Sequence, residues 1–198
     1  MARVVAWTAG LLGLLCFSVV STQAADRVKV RTQTYAISGK TGAELYDSLQ
    51  SRGPRHGFLS RAIAQTSYKV EWYSEVVETG GTCRLVRAEP TLQITYTYPQ
   101  PTQAMTRDTR RRWAAFMSGV KRHEQRHGAL ARQMVRAAQA AVRGLKMAGD
   151  PSCRKTRAEV RRRATAIYAT YEARQRAFDA KEHRDGGNID RMIAALVW

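Results

Sequence analysis

The strongest chemical pattern in the chain is the run His123-Glu124-Gln125-Arg126-His127. Two imidazoles four residues apart project from one side of a helix and can reach a single metal ion, and zinc is the ion this spacing serves. The carboxylate follows the first His by one residue. It therefore points beside the metal, where it takes a proton from water instead of ligating. His123 and His127 fall in step with Val120, Leu130 and Met134, so both rings face the apolar side of their helix. Two imidazoles and a carboxylate buried together are costly without a cation or hydrogen-bond partners. The chemistry implied is hydrolysis by metal-activated water, with zinc held by His123 and His127 and Glu124 as the base.

A catalytic zinc wants a third protein ligand and an open position. Two familiar continuations of the motif are missing. Leu130 stands where a metzincin has Gly, and Gln133 where it has a third His. The first Glu after His127 is Glu159, beyond an interhelical turn and out of place for a thermolysin-like ligand. Further on, Asp179, Glu182 and His183 cluster at the end of the last long helical segment, and antiparallel packing brings that end back toward His123. His183 is the first choice for the third ligand; Asp179 and Glu182 stay open beside it. His56, between Gly-Pro and Gly, reads as a loop residue, with a substrate contact as the alternative. Tyr168 and Tyr171 read as core at helical spacing, and are otherwise candidates to stabilise an oxyanion.

The elements that must position these residues come in two blocks. Val28, Val30, Thr32 and Thr34 alternate with charged or amide residues, predicting a strand. Thr41-Gly42-Ala43-Glu44 is a capping box opening a short helix that Gly53-Pro54 closes. A second alternating run from Tyr68 to Val76 turns at Gly80-Gly81 and returns through Cys83 and Leu85, with an interruption at Pro90 and an exposed-edge candidate at Leu92–Tyr98. After Tyr98-Pro99-Gln100-Pro101 the period changes. Trp113 to Leu145 read as one long amphipathic helix with Gly128 as its place to break, and Asp150-Pro151 as cap and first position of another. Gly186-Gly187 ends that helix, and Ile189–Trp198 packs back as a helix or strand. The expected fold is α+β: a small antiparallel sheet with one short helix, packed on two long antiparallel helices.

The chain begins with Met1-Ala2-Arg3, an apolar stretch from Val4 to Val20, and small residues at Thr22 and Ala24. That is the layout of a signal peptide, residues 1–24, cleaved after Ala24 or Ala25. Leu15 before Cys16 does not suit lipidation. Residues 25–198 are then one domain, strand-rich over 25–100 and helical over 101–198, in the periplasm or outside the cell and with no stable membrane insertion. Cys83 and Cys153 are the two cysteines left in an oxidising compartment, which predicts a disulfide. With 33 Lys+Arg against 16 Asp+Glu, the surface attracts polyanions. Export directs that expectation to anionic envelope polymers and away from nucleic acid.

With these residues in view, the chain resembles the DUF922 family: a leader, a strand-rich part, and Trp113-x-x-Phe116 running into His123-Glu124-x-x-His127. The likeness spans about Tyr35 to His183. It implies a zincin-like metal helix, an extracytoplasmic location and a peptide or protein substrate. The family's Tyr-Asp pair before a His-Gly is similar to Phe178-Asp179 and His183 here, although Arg184 replaces Gly. The expected activity is a zinc metallopeptidase. The alternatives are a peptidoglycan amidase or endopeptidase, and a non-catalytic envelope-binding protein.

Overall fold

The computed structural model describes residues 27–56 and 60–198. The leader assigned to residues 1–24, Cys16 included, lies outside them, and of His56 only the backbone is described. In chain order the elements are β1 (Val28–Ile37), α1 (Gly42–Arg52), β2 (Arg55–His56), β3 (Ser60–Arg61), β4 (Gln65–Thr79), β5 (Thr82–Pro101), α2 (Arg107–Val142), β6 (Lys146–Ala148), α3 (Arg154–Glu182) and α4 (Asn188–Val197).

The α+β class holds, but the sheet is mixed and open instead of antiparallel. Its order is β1-β5-β4, with β6 pairing the start of β5. The hairpin of β4 and β5 is antiparallel and turns on Gly80 and Gly81, both at positive φ, as a two-residue hairpin loop requires. β1 instead lies parallel to β5, from Val28 opposite Leu92 to Ile37 opposite Pro101. The in-out alternation of a strand is the same for either direction of its partner, so β1 could be found from its pattern and its pairing could not. β5 also runs unbroken through Pro90. That residue sits opposite Trp72 on a stretch that neither β1 nor β6 reaches, where a missing N–H is tolerated.

Leu92, Ile94, Tyr96 and Tyr98 of β5 form one core with Trp113, Phe116, Val120, Ala131 and Met134 of α2. α2 does not break at Gly128. A Cβ there would lie 2.0 Å from the Tyr96 hydroxyl, so the glycine permits close approach of helix and sheet. α1 opens with the expected capping box: Thr41 Oγ1 accepts from Glu44 N, and Glu44 Oε2 accepts from Thr41 N. α3 runs antiparallel to α2, since Arg163 reaches the Ala141 carbonyl while Gln175 meets His127. It starts at Arg154, three residues later than Pro151, with Cys153 in the left-handed region as its cap. Asp150 still caps it from upstream: its buried carboxylate accepts from the Thr156 N–H and hydroxyl, both at 2.8 Å, and from the Lys155 N–H at 3.2 Å. Cys83 and Cys153 are joined as a disulfide that pins the start of β5 to the start of α3. The tail forms α4. No helix among the described residues is long and apolar enough to cross a membrane.

Candidate metal centre

α2 carries His123, Glu124 and His127 to the inner side, where β4 and the last turns of α3 meet it. His123 and Glu124 are both buried. The helix and the strand packed against them supply different things. α3 presents Gln175, Asp179 and Glu182, one helical face at steps of four and three, while β4 presents Thr66.

The Nε2 atoms of His123 and His127 lie 3.1 Å apart. Asp179 Oδ1 lies 2.8 Å from His127 Nε2 and 3.4 Å from His123 Nε2. Ligands about 2.0–2.1 Å from a tetrahedral zinc stand about 3.3 Å from one another, so these three atoms already have nearly the spacing of one face of such a site. His183, the last residue of the turn, sets its ring edge-on to His123 at 5.6 Å between centroids. His123, Asp179 and His183 each place one ligand atom within 4.8 Å of the others. Four of the five side chains named as possible ligands, His123, His127, Asp179 and His183, are thus brought together; Glu182 stands one step back, its Oε2 3.8 Å from His123 Nδ1.

The second ring nitrogens are held from α3. Gln175 Oε1 is 2.6 Å from His127 Nδ1, and its amide donates to the His127 carbonyl, so one side chain fixes both the ring and the backbone beneath it. His123 Nδ1 is buried with no hydrogen bond, and Glu182, itself accepting from Asn188 Nδ2 at 2.8 Å, is the group it faces. Phe178 stacks on His123 and meets His127 edge-on, packing against both rings. Glu124 is directed by Thr66, whose hydroxyl is 2.6 Å from Oε2 and 3.0 Å from the Glu124 carbonyl oxygen.

The electrostatics follow from these contacts. Burial alone would raise the Asp179 carboxyl, but hydrogen bonds from His123 and His127 outweigh it and hold that group well below the usual carboxylate range. Burial opposes the charged form of His127, yet the Asp179 and Gln175 bonds prevail and raise it. Burial, with the Glu124 charge nearby, pushes Tyr98 up to about 12, so its phenol stays protonated.

A cavity of about 710 Å³ opens beside the donors, lined by Glu124, His123, His127, Asp179 and His183 and by residues of α1, β4 and α4. Tyr168 does not line it. Its hydroxyl is hydrogen-bonded to the Trp72 indole, and Tyr171 packs against the core beneath an Arg174 guanidinium, which bears out the core reading of both. Phe178 enters the sequence reading only beside Asp179 in the family resemblance, and Thr66 and Gln175 do not enter it. Gln175 had a signal: it is the one amide in the otherwise apolar stripe from Ala164 to Phe178. Thr66 had none, because nothing local says that a strand residue will meet a helix 58 positions away.

No curated protein and no solved structure matches the chain. A match does come from the family described as "Bacterial protein of unknown function (DUF922)", over residues 32–187, a stretch holding α2, α3, the whole donor set and the sheet apart from the first four residues of β1. The chain belongs to the DUF922 family.

Proposed function

We propose that this protein is an exported zinc-dependent metallopeptidase. The observation that carries the reading is the convergence of His123 Nε2, His127 Nε2 and Asp179 Oδ1 within 2.8–3.4 Å of one another, beside a cavity that Glu124 also lines. His123, His127 and Asp179 would hold the ion, and His183 stands next to them at the cavity wall. Bound there, zinc supplies Lewis acidity toward water and a peptide carbonyl. Glu124 takes the proton of the attacking water at Oε1, because Thr66 engages Oε2, and returns it to the departing amine. Gln175 keeps the His127 ring in one orientation, and Phe178 packs against both imidazoles. The peptide would pair with the outer edge of β4 at Gln65–Tyr68, which lines the cavity. β5, the expected edge, is flanked by β1 and β4 over Leu92–Thr97 and cannot accept a strand there.

The test is zinc per protein measured beside peptide turnover in four variants. Glu124→Gln keeps its zinc and loses roughly a hundred- to ten-thousand-fold in rate. His123→Ala and Asp179→Ala lose zinc and activity together, whereas His183→Ala keeps zinc. Full activity in Glu124→Gln overturns the mechanism. Zinc loss in His183→Ala with retention in Asp179→Ala moves the third position to His183.

A second reading, a binding protein for anionic envelope polymers, draws on the outer side of α2. Lys121, Arg122, Arg126, Arg136 and Arg143 are exposed there, and the acidic residues of that helix are Asp108, a full three turns away, and the buried Glu124. Adsorption of this kind weakens steeply as salt rises. Zinc-replete protein that hydrolyses no peptide or wall fragment, yet binds such polymers, favours this reading over the enzyme.

A further inference from the structure

The cavity beside the donor set is lined by carboxylates, Glu124 and Asp179 among them, and by one cation. Arg61 is the single lysine or arginine among the described residues lining the cavity, in a chain with 33 of them. Arg61 has no carboxylate partner among the described residues. Its Nη1 donates instead to the carbonyl of Gly53, the residue that closes α1, at 2.8 Å. The backbone there is packed tightly: a Cβ on Gly53 would come within 2.1 Å of the Ala62 carbonyl oxygen. The guanidinium is therefore anchored through one N–H on a firm turn, with its remaining donors uncommitted to any acid. Tyr46 and Gln50 of α1 line the same cavity and are hydrogen-bonded to each other at 2.5 Å.

Arg61 precedes by five residues Thr66, whose hydroxyl holds Glu124, and five residues of extended chain span at most about 17 Å. Apolar side chains, Ile63 and Val120 among them, line the same cavity. A planar guanidinium sharing a partly apolar cavity with the candidate metal ligands and base is suited to hold a carboxylate by paired N–H bonds.

Building on the metallopeptidase reading, we propose that Arg61 anchors a substrate carboxylate, so that the enzyme takes peptides carrying one within a few residues of the cleaved bond. That carboxylate is either the chain's own C-terminus or an acidic side chain.

The test uses full-length, zinc-loaded Glu124→Gln protein, in which binding is read without turnover. Three fluorescent peptides share one apolar sequence: the first ends in a free carboxylate, the second in an amide, and the third in an amide with Glu next to the end. The first, the third or both bind roughly ten- to a hundred-fold tighter than the second. Preference for the first alone identifies a C-terminal anchor, and for the third alone an acidic side chain. Adding Arg61→Gln, which keeps an amide donor for Gly53, removes the preference and leaves affinity for the amide peptide unchanged; Arg61→Ala does the same. Equal binding of all three peptides, no measurable binding of the carboxylate peptides, or a preference that survives both Arg61 variants overturns the anchor. Turnover of unmodified protein is measured separately: a carboxylate preference without turnover sinks the metallopeptidase reading alone, and turnover without the preference sinks the anchor alone.

Discussion

The two ends of α3 use the same kinds of side chain to opposite effect. At its start, the buried Asp150 carboxylate accepts three hydrogen bonds from Lys155 and Thr156, the Cys83–Cys153 disulfide lies alongside, and Leu85, Val142 and Leu145 pack together nearby. At its end, Asp179 accepts from two imidazoles, His123 Nδ1 is buried with no bond, Glu182 stops 3.8 Å short of it, and a cavity opens. A buried polar group that is fully matched is architecture. A cluster of buried donors and acceptors left partly unmatched beside open space is where a ligand completes the set.

The largest way to break this comparison is to cut the disulfide. It closes a loop of 70 residues, and in the chain-entropy account its loss costs about 4 kcal/mol. Cys83→Ser with Cys153→Ser should lower the urea midpoint accordingly while zinc stoichiometry of the folded protein stays at the parent value. Zinc loss from protein that is still folded would mean that the two ends are not independent.

Gln175→Ala acts at the other end. Removing the partner that orients His127 should weaken zinc affinity by roughly ten- to a hundred-fold, with little change in the unfolding transition. Competition with a chelator of known affinity measures it, and unchanged affinity would make Gln175 a packing residue only.

The smallest effect is in the acid limb of stability. Burial alone would raise Asp150, but the bonds from Thr156 and Lys155 win and depress it. A carboxyl depressed in the folded state contributes fully above its unfolded value of about 3.9 and loses that contribution as pH falls through the lower folded one. Asp150→Asn should therefore lower the melting temperature at neutral pH and narrow its gap to the parent below about pH 4. A gap that stays constant down through that range would show that the Asp150 charge does not matter to the cap.

Local pattern was enough for several of these features because each is set within a turn or a hairpin. The Thr41–Glu44 box, the Gly80-Gly81 turn and the inward side of His123 and His127 depend on residues no more than a few positions apart, and the structure places them as their spacing requires. The cysteines could be paired because the expected leader holds Cys16 and leaves Cys83 and Cys153 as the two others. Harder were the features set by contact across elements. Periodicity finds β1 as a strand but neither its parallel pairing with β5 nor its inward side, since Val30, Thr32 and Thr34 are exposed while Tyr35 and Ile37 of the other parity pack into the core, and a three-residue strand such as β6 is too short to show any period.

The same limit divides the centre itself. Its first two candidate ligands and its candidate base are written in five consecutive residues, since one helical turn suffices to aim them at a common point. Which of Asp179, Glu182 and His183 comes nearest, that Gln175 and Thr66 hold His127 and Glu124, and that Arg61 shares their cavity are decided by how α3 and β4 pack on α2. Shifts of a single helical turn or of one residue in strand register, invisible in local spacing, would exchange one of these side chains for another.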